Sequence, residues 1–285
     1  MKEIVVISGK GGTGKTSFLA SFAALSKNAI IADCDVDASN LHIILDPELI
    51  REESVFGSFE AKISGDICTE CGLCRDACRF GAIDEDFNVA GELCEGCGVC
   101  ELVCPANAVE LCEKSAGMLR LSKSRFGYFS HVKMNSGEEG SGKLVTAVRD
   151  QARRIAKENG IDKILIDGPP GIGCPVIAST VNTDLAVIVT EPSLSGMHDL
   201  VRVHGMLSGI GVNSAICINK YDINPDIAKK IGSFADSNSI PLVGKVPYSL
   251  DFVDSMLKAK SIVELGSSPM KDNFKNIWQR IESLI

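Results

Sequence analysis

Residues 8–17, SGKGGTGKTS, have the composition and spacing of a loop that binds the phosphates of a nucleotide. They fit the pattern GxxxxGK[ST], and they lie between an apolar run at 4–7 and a helical pattern at 18–25. Glycine lets such a loop curl so that its NH groups and the following helix N-terminus point at one anion. The predicted nucleotide-binding residues are Gly9, Lys10, Gly11, Gly12, Thr13, Gly14, Lys15, Thr16 and Ser17. Because Lys15 adds a positive charge and Thr16 a hydroxyl ligand for Mg²⁺, we expect a nucleoside triphosphate with Mg²⁺.

Acidic residues follow two predicted strands. The apolar run 29–32 leads into Asp33, with Asp35 and Asp37 close behind, and the run 164–166 leads into Asp167 and a Gly/Pro turn at 168–171. Carboxylates at the end of a strand beside a phosphate loop can hold Mg²⁺ or orient a water molecule. The sequence therefore predicts Thr16, Asp35 and Asp167 as Mg²⁺ ligands. The acids after the first strand could instead only cap a helix.

Eight of the twelve cysteines form two runs with the spacing C-x₂-C-x₂-C-x₃-C. This is the spacing of bacterial ferredoxins that carry two [4Fe-4S] clusters, in which the fourth cysteine of each run ligates the other cluster. One predicted cluster has the ligands Cys68, Cys71, Cys74 and Cys104, and the other has Cys94, Cys97, Cys100 and Cys78. The alternative is a pair of zinc sites, although zinc ribbons use CxxC pairs separated by longer loops.

Composition indicates a globular protein with a large and a small domain. The chain has 285 residues, of which 45% are hydrophobic. Residues 1–3 lead directly into a core strand, and no apolar run approaches the roughly 20 residues of a membrane span. We therefore expect a cytoplasmic protein. Tight cysteine runs beside a nucleotide motif favour metal ligation in a reducing compartment over disulfides.

Negative charge is concentrated in the cysteine-rich segment. Residues 62–113 contain three Lys or Arg against eleven Asp or Glu, while the whole chain has a formal charge of −8. The remainder is thus close to neutral and offers no basic patch for DNA. The acidic segment could steer onto the basic face of a redox partner, or its charge could serve solubility alone.

The remaining sequence alternates predicted strands and helices. Strands are predicted at 163–167, 184–190, 212–218 and 242–246, with helices at 144–159, 196–207 and 225–236 between them. This alternation predicts an α/β fold with a doubly wound, mainly parallel sheet. We assign residues 1–61 and 114–285 to a discontinuous P-loop ATPase domain, and residues 62–113 to an inserted α+β ferredoxin-like domain.

The extra lysine of residues 10–16, KGGTGKT, resembles the deviant P-loop of the MinD/ParA/Mrp superfamily of ATPases, which includes the nitrogenase iron protein. The resemblance extends over most of the chain. It implies a homodimer, or a heterodimer with a paralogue, in which Lys10 reaches the partner's nucleotide so that hydrolysis depends on pairing. It also implies Lys10, Lys15 and Asp35 as catalytic residues, with Asp35 positioning the attacking water. Asp37 could share or take that role.

Three further positions are assigned by resemblance. Residues 219–222 match the NKxD motif of GTPases, but the superfamily uses the asparagine here to read adenine and a proline turn as a second contact. Asn219 and Pro247 are therefore predicted to bind the base of ATP, with GTP as the alternative. Cys174 follows Asp167 by seven residues, as in the nitrogenase iron protein, where such a cysteine binds a cluster shared between subunits. Cys112 is a candidate second ligand, and the alternative for Cys174 is a small buried apolar residue.

The leading functional hypothesis is that ATP binding and hydrolysis change the association of two subunits while the clusters pass electrons to an acceptor protein. The alternatives are an ATP-dependent carrier or assembly factor for iron-sulfur or other metal clusters, and a ParA-like or MinD-like positioning ATPase. Phe274, Ile277, Trp278 and Ile281 follow helical spacing, and MinD ends in a membrane-binding helix. The poor basic face here favours packing on the core. Neither DNA nor a membrane is therefore an expected partner.

Overall fold

The computed structural model describes all residues, Met1–Ile285. The strands are β1 (Lys2–Ser8), β2 (Ala29–Asp33), β3 (Glu48–Ile63), β4 (Val109–Ser124), β5 (Gly127–Met134), β6 (Lys163–Pro170), β7 (Leu185–Thr190), β8 (Ser214–Asn219) and β9 (Leu242–Val246). The helices are α1 (Lys15–Leu25), α2 (Leu41–Leu45), α3 (Leu73–Ala77), α4 (Val99–Leu102), α5 (Gly142–Glu158), α6 (Cys174–Thr180), α7 (Leu194–Gly209), α8 (Pro225–Ser237), α9 (Asp251–Leu257), α10 (Ile262–Leu265) and α11 (Ser268–Glu282). A 3₁₀ turn lies at Val36–Ala38.

The strands form one sheet in the order β3-β4-β5-β2-β6-β1-β7-β8-β9. From β5 to β9 every neighbouring pair is parallel. Strands β2 and β7 are buried along their whole length, which explains why they are continuous apolar runs rather than alternating ones. Helix α1 packs with α10 and α11, whereas α5 packs with α6. The α/β class predicted from the sequence is confirmed.

The chain divides into two compact units. The first unit comprises Met1–Glu53, Leu119–Lys133 and Gly140–Ile285, and the second comprises Ser54–Met118 and Met134–Glu139. The predicted insert at 62–113 lies within the second unit, which also takes in residues to either side of it. The long strands β3 and β4 run across the unit boundaries and contribute residues to both units. Cysteine spacing consequently marks only the central part of the second unit.

The C-terminal helix α11 is part of the core of the first unit. Phe274 and Trp278 are buried against α1, with ring centroids 4.9 Å apart for Phe18 and Phe274 and 5.4 Å apart for Phe22 and Trp278. Burying one such ring contributes about 1.5–3 kcal/mol. The apolar face of this helix therefore packs on the core, as its charge pattern favoured. No helix of the chain has both the length and the apolar character that a membrane span requires.

The second unit is built from two similar halves. In each half a glycine with positive φ caps a short helix, Gly72 (φ 81°) before α3 and Gly98 (φ 77°) before α4. A side chain is disfavoured in this left-handed conformation, so glycine allows the chain to turn sharply between cysteines. Ile83 and Val109 pack with cysteine side chains in the small core of this unit.

Candidate functional site

The phosphate loop between β1 and α1 packs closely against the last residue of β8 and against α7. Gly14 has φ 99° and caps α1, and a Cβ at this position would lie 2.7 Å from Nδ2 of Asn219. That Nδ2 donates a 2.8 Å hydrogen bond to the carbonyl of Thr13. A Cβ on Gly9 would lie 2.3 Å from Cβ of Asp199, because α7 approaches the start of the loop closely. The loop is thus held in one conformation with the N-terminus of α1 available to an anion.

A pocket with about 1170 Å³ of empty space, part of it open to solvent, adjoins this loop. Six of the predicted nucleotide-binding residues line it, namely Gly11, Gly12, Gly14, Lys15, Thr16 and Ser17. Ile43, Ile44 and Met256 add apolar side chains to the lining. Such a cavity, mostly apolar with a few polar groups that converge, is typical of a small-molecule site.

Buried acidic groups converge at one side of the pocket. Asp33 and Asp167 lie opposite each other in the register of the parallel strands β2 and β6. The Thr16 hydroxyl donates a 2.7 Å hydrogen bond to Oδ2 of Asp167, while Oδ1 of Asp167 is buried without a partner. Lys15 pairs with Asp35, with 3.3 Å between Nζ and Oδ2.

The pKa values of the three buried aspartates are all raised, which indicates that the positive charge near them does not balance their negative charge. Burial, with a further contribution from Asp35, raises the pKa of Asp167 to about 7, although Lys15 and Thr16 act against the shift. Burial and then the charge of Asp167 raise the pKa of Asp33 well above its usual range, and burial raises the pKa of Asp35. Lys15 thus acts on two of these carboxylates, Asp35 and Asp167, while Asp33 adds a third acidic group beside them. Oxygen ligands, an unpartnered buried carboxylate oxygen and excess negative charge fit Mg²⁺.

Sequence reasoning did not include Asp33 among the site residues. Asp33 accepts hydrogen bonds from Ser39 Oγ (2.7 Å) and from the backbone NH of Asp35 (3.2 Å), so it shapes the loop that carries Asp35. The signal that could have found it is strand register, because the last residues of adjacent parallel strands meet at one sheet edge.

Asp35 and Asp37 have different surroundings. Asp35 is buried beside Lys15, whereas Asp37 is exposed and accepts a 2.6 Å hydrogen bond from the backbone NH of Gly140. The geometry therefore brings Asp35, and not Asp37, to Lys15.

The ammonium group of Lys10 is paired with side chains of the same subunit. Its Nζ lies 2.5 Å from Oε1 of Glu191 and donates a 3.1 Å hydrogen bond to Ser195 Oγ. Lys220 also pairs with Glu191, at 3.4 Å. Burial alone would raise the pKa of Glu191, but hydrogen bonds and charges from Lys10 and Lys220 lower it overall. Glu191 is a second residue that sequence reasoning did not single out.

The two predicted base contacts, Asn219 and Pro247, do not line the described pocket. Asn219 is buried and its amide supports Thr13, while its Oδ1 accepts from the NH of Lys220 at 2.9 Å. The turn after Pro247 is joined to the turn after Asn219, because Tyr248 NH donates to Asp222 at 2.8 Å. Contact of either residue with a base stays a prediction.

The second unit contains two cysteine-lined cavities. One has about 370 Å³ of empty space and is lined by Cys78, Cys94, Cys97 and Cys100 among others. The other has about 290 Å³ and is lined by Cys68, Cys71, Cys74 and Cys104 among others. Each cavity thus brings together three cysteines of one run and the fourth cysteine of the other run, which are the two predicted ligand sets.

Backbone NH groups point at several of these sulfurs. NH groups of Glu70, Ala82 and Ala108 donate to Sγ of Cys68, Cys78 and Cys104 at 3.4, 3.4 and 3.2 Å. The backbone NH of Ala108, followed by those of nearby residues in the same turn, lowers the pKa of Cys104. Hydrogen bonds to sulfur stabilise thiolates and are a common feature of cluster ligation. The donor set therefore fits a cluster bound by thiolates.

No group of three or more His, Cys, Asp or Glu side chains is arranged around a single metal ion. In a [4Fe-4S] cluster each thiolate binds a different iron, so its sulfurs lie farther apart than around one ion. The remaining predicted ligand, Cys174, is exposed at the start of α6, and it belongs to the first unit whereas Cys112 belongs to the second. Cys174 is therefore not the small buried residue that the sequence allowed as its alternative.

A glycine-rich loop between a strand and a helix, a lysine inside it and carboxylates at the neighbouring strand ends together define a P-loop nucleotide-binding protein. Residues 4–262 match the family described as the CobQ/CobB/MinD/ParA nucleotide binding domain, and the chain belongs to this family. It is accordingly a nucleotide-binding ATPase of the MinD/ParA type.

Individual relatives cover nearly the whole chain. An uncharacterized protein of Methanocaldococcus jannaschii is 32% identical over 290 residues, covering 99% of this chain and 97% of the relative. The septum site-determining protein MinD of Synechocystis is 25% identical, covering 98% and 88%. The structure of MinD from Pyrococcus horikoshii, complexed with Mg-ADP, has a TM-score of 0.62 at 17% identity and covers 99% of this chain and 96% of that one. That likeness supports the fold.

Proposed function

We propose that this chain is an ATP-driven switch whose second unit carries two [4Fe-4S] clusters and delivers electrons to an acceptor protein. The observation that carries the proposal is that eight cysteines line two cavities in the crossed sets of a two-cluster ferredoxin, within a chain that also has a complete phosphate loop.

In the ATPase site, we assign the phosphates to the loop NH groups and Lys15, and Mg²⁺ to Thr16 and Asp167. We assign Asp35 to orient the attacking water, a role that requires Lys15 to leave this carboxylate and bind the phosphates. Mg²⁺ supplies charge neutralisation and orients the phosphates. The buried oxygen of Asp167 that has no partner supports this assignment, because such an atom is costly unless a ligand satisfies it.

Lys10 is the residue we assign to a second copy of the chain. To reach a partner's nucleotide its ammonium group must leave Glu191 and Ser195. A cation placed on the triphosphate from outside would stabilise transition-state charge, as an arginine finger does. Dimer formation and hydrolysis would then both depend on breaking this ion pair.

In the second unit, the thiolates of each cavity would hold one cluster, and each cluster supplies one-electron transfer. The backbone donors to sulfur tune the cysteines, and Cys71 and Cys97 are exposed, so both cavities have ligands at the surface. The net negative charge of this unit favours an acceptor with a basic face.

The test is anaerobic purification followed by iron and sulfide quantification and by EPR of the reduced protein with and without Mg-ATP. We expect about eight irons per chain, the content of two cubes, and spectra that change with Mg-ATP. Cys71→Ser and Cys97→Ser should each lower the iron content, whereas Cys217→Ser, at a buried cysteine of the first unit, should not. Substoichiometric iron that is unaffected by either substitution would refute the cluster assignment.

A cluster carrier is the second candidate, supported by the exposed cysteine Cys174. It differs from the electron donor in one measurable way, since a carrier must hold labile iron beyond the two resident clusters. Loss of that extra iron in Cys174→Ser, together with transfer to an apo-protein, would favour the carrier.

A positioning ATPase is the third candidate, and it is supported by relatives named septum site-determining proteins. Packing of α11 into the core leaves that helix unavailable as a membrane anchor unless it unfolds from α1. Sedimentation with liposomes or DNA in Mg-ATP would support positioning, and recovery of the protein in the supernatant in both cases would argue against it.

A further inference from the structure

Residues Met134–Glu139 connect β5 to α5 and belong to the second unit. Asn135 fastens the segment to β4, because its NH donates to the carbonyl of Ala116 and its Nδ2 to the carbonyl of Ser115, each at 2.9 Å. The segment is therefore not a free linker.

Glu138 makes the strongest contacts of this segment. Its side chain is only 10% exposed, and Oε1 lies 2.5 Å from Nζ of Lys114. Its other oxygen accepts a 3.3 Å hydrogen bond from Ser58. The same Lys114 donates a 2.8 Å hydrogen bond to the carbonyl of Gly91, three residues before Cys94, which is a proposed cluster ligand.

Lys114 is electrostatically coupled to this cysteine cavity. The hydrogen bond with Glu138 raises the pKa of Lys114, and the charges of Glu138, Glu60 and Cys94 raise it further. The neighbouring strand β3 contacts the same loop, since the NH of Ala61 donates to Sγ of Cys94 at 3.4 Å. A change at Glu138 would alter both the position of the loop before Cys94 and the charge near it.

The other end of the segment is fastened in the ATPase unit. The NH of Gly140 donates to Oδ1 of Asp37 at 2.6 Å. A Cβ at residue 140 would lie 2.6 Å from Asp37 Oδ2 and 2.6 Å from Val36 Cγ2, so glycine is required by this close approach. Residues 138 and 140 are two positions apart in the chain, so a shift at one is passed to the other along the backbone.

The loop that holds Gly140 should change with nucleotide. Asp37 lies two residues after Asp35, whose Oδ2 lies 3.3 Å from Nζ of Lys15. A triphosphate bound at the phosphate loop would attract Lys15, and Mg²⁺ would attract the carboxylates, so nucleotide binding is expected to change the partners of residues 35–37. A ligand that changes the partners of a loop shifts the populations of its conformations.

We propose that residues 134–140 form a tether that transmits nucleotide binding from the loop at 35–37 to the cavity lined by Cys78, Cys94, Cys97 and Cys100. The Asp37–Gly140 bond fastens one end, and the Glu138–Lys114–Gly91 contacts fasten the other. What the cavity holds rests on the proposed function above, but the tether is defined by protein contacts alone.

Hydrogen-deuterium exchange measured by mass spectrometry tests the tether in the full-length, anaerobically purified protein, with and without Mg-ATP. In the wild type we expect altered exchange in residues 33–40, 134–140 and 88–97. In Glu138→Gln the change at 33–40 should persist and the change at 88–97 should be lost. Glu52→Gln is the matched control, because it removes a carboxylate paired with Arg120 at 2.9 Å within the first unit; it should respond as the wild type does.

Gly140→Ala is a second variant at the other end of the segment, and it provides an independent test if Glu138→Gln does not fold. Its methyl group should separate residue 140 from Asp37 and likewise remove the response at 88–97. Two results would contradict the tether. The first is a wild-type protein in which Mg-ATP changes exchange at 33–40 but not at 88–97. The second is a change at 88–97 that persists in both Glu138→Gln and Gly140→Ala. Iron is quantified on the same samples to distinguish the tether from the cluster proposal. If Mg-ATP changes exchange at 88–97 in protein that contains no iron, the tether is supported and the clusters are rejected. Absence of any response at 33–40 would reject the ATP switch together with the tether.

Discussion

Glu191→Gln should strengthen the ATP-dependent dimer. In the single chain, Glu191 holds Lys10 at 2.5 Å, and the proposed dimer requires Lys10 to leave it. Glutamine keeps the size of the side chain and a hydrogen-bond acceptor but removes the charge. The substitution therefore lowers the cost of releasing Lys10 without opening a cavity.

The size of the effect follows from the burial of the pair. The two side chains are 33% and 21% exposed, so solvent screens their attraction substantially. Exposed ion pairs contribute about 0.2–1 kcal/mol, and this half-buried one should lie in the range of about 0.5–1 kcal/mol. A symmetric dimer releases two such lysines, which gives about 1–2 kcal/mol and about a 5- to 30-fold lower dissociation constant. Ser195 still accepts from Lys10 after the substitution, so the value lies toward the lower end.

The assay is sedimentation velocity over a range of protein concentrations with a non-hydrolysable ATP analogue and Mg²⁺. The control is Glu282→Gln, which removes an ion pair with Lys163 of the same 2.5 Å separation in a different part of the first unit. The control should leave the dissociation constant unchanged. A dimer that is unchanged or weaker in Glu191→Gln, with nucleotide affinity intact, would show that this ion pair does not restrain Lys10.

Three further predictions concern the pocket and the core. Burial raises the pKa of folded Asp167 to about 7, against 3.8 for the unfolded residue, so without Mg²⁺ the protein should lose stability progressively as pH rises from about 4 to about 7, with no further loss from this residue above that. Chemical denaturation should show a smaller loss over this range in Asp167→Asn, and an equal loss would contradict the assignment. Gly9→Ala places a Cβ 2.3 Å from Asp199 Cβ, which should cost ~1–3 kcal/mol of stability and weaken nucleotide binding in calorimetry. Gly205→Ala in α7 is its control, because a Cβ there meets no neighbouring atom and the residue does not line the pocket. Phe274→Ala should lower the free energy of unfolding by ~3–5 kcal/mol, and a loss below ~1 kcal/mol would mean that α11 is not an integral part of the core.

Much of the fold could be predicted from the sequence because its signals are local. The phosphate loop requires glycine and lysine at fixed spacing, and the strands of a parallel sheet are buried on both faces and so appear as apolar runs. The position of α11 was also readable, since Phe274 and Trp278 follow helical spacing and few basic residues flank them. The limits of the second unit could not be predicted from the sequence, because β3 and β4 each run across them as one continuous strand.

The chemistry available to this protein is determined by the sequence itself: a loop that cradles phosphates, acidic residues after two strands, and two cysteine runs with cluster spacing. Only the tertiary structure decides which of these groups meet. It places Asp33 opposite Asp167, ties Lys10 to Glu191 across more than 180 residues of sequence, and separates Asp35 beside Lys15 from Asp37 beside Gly140. The physical reason is that such contacts depend on strand register and close packing between distant segments, which residue spacing along the chain does not encode.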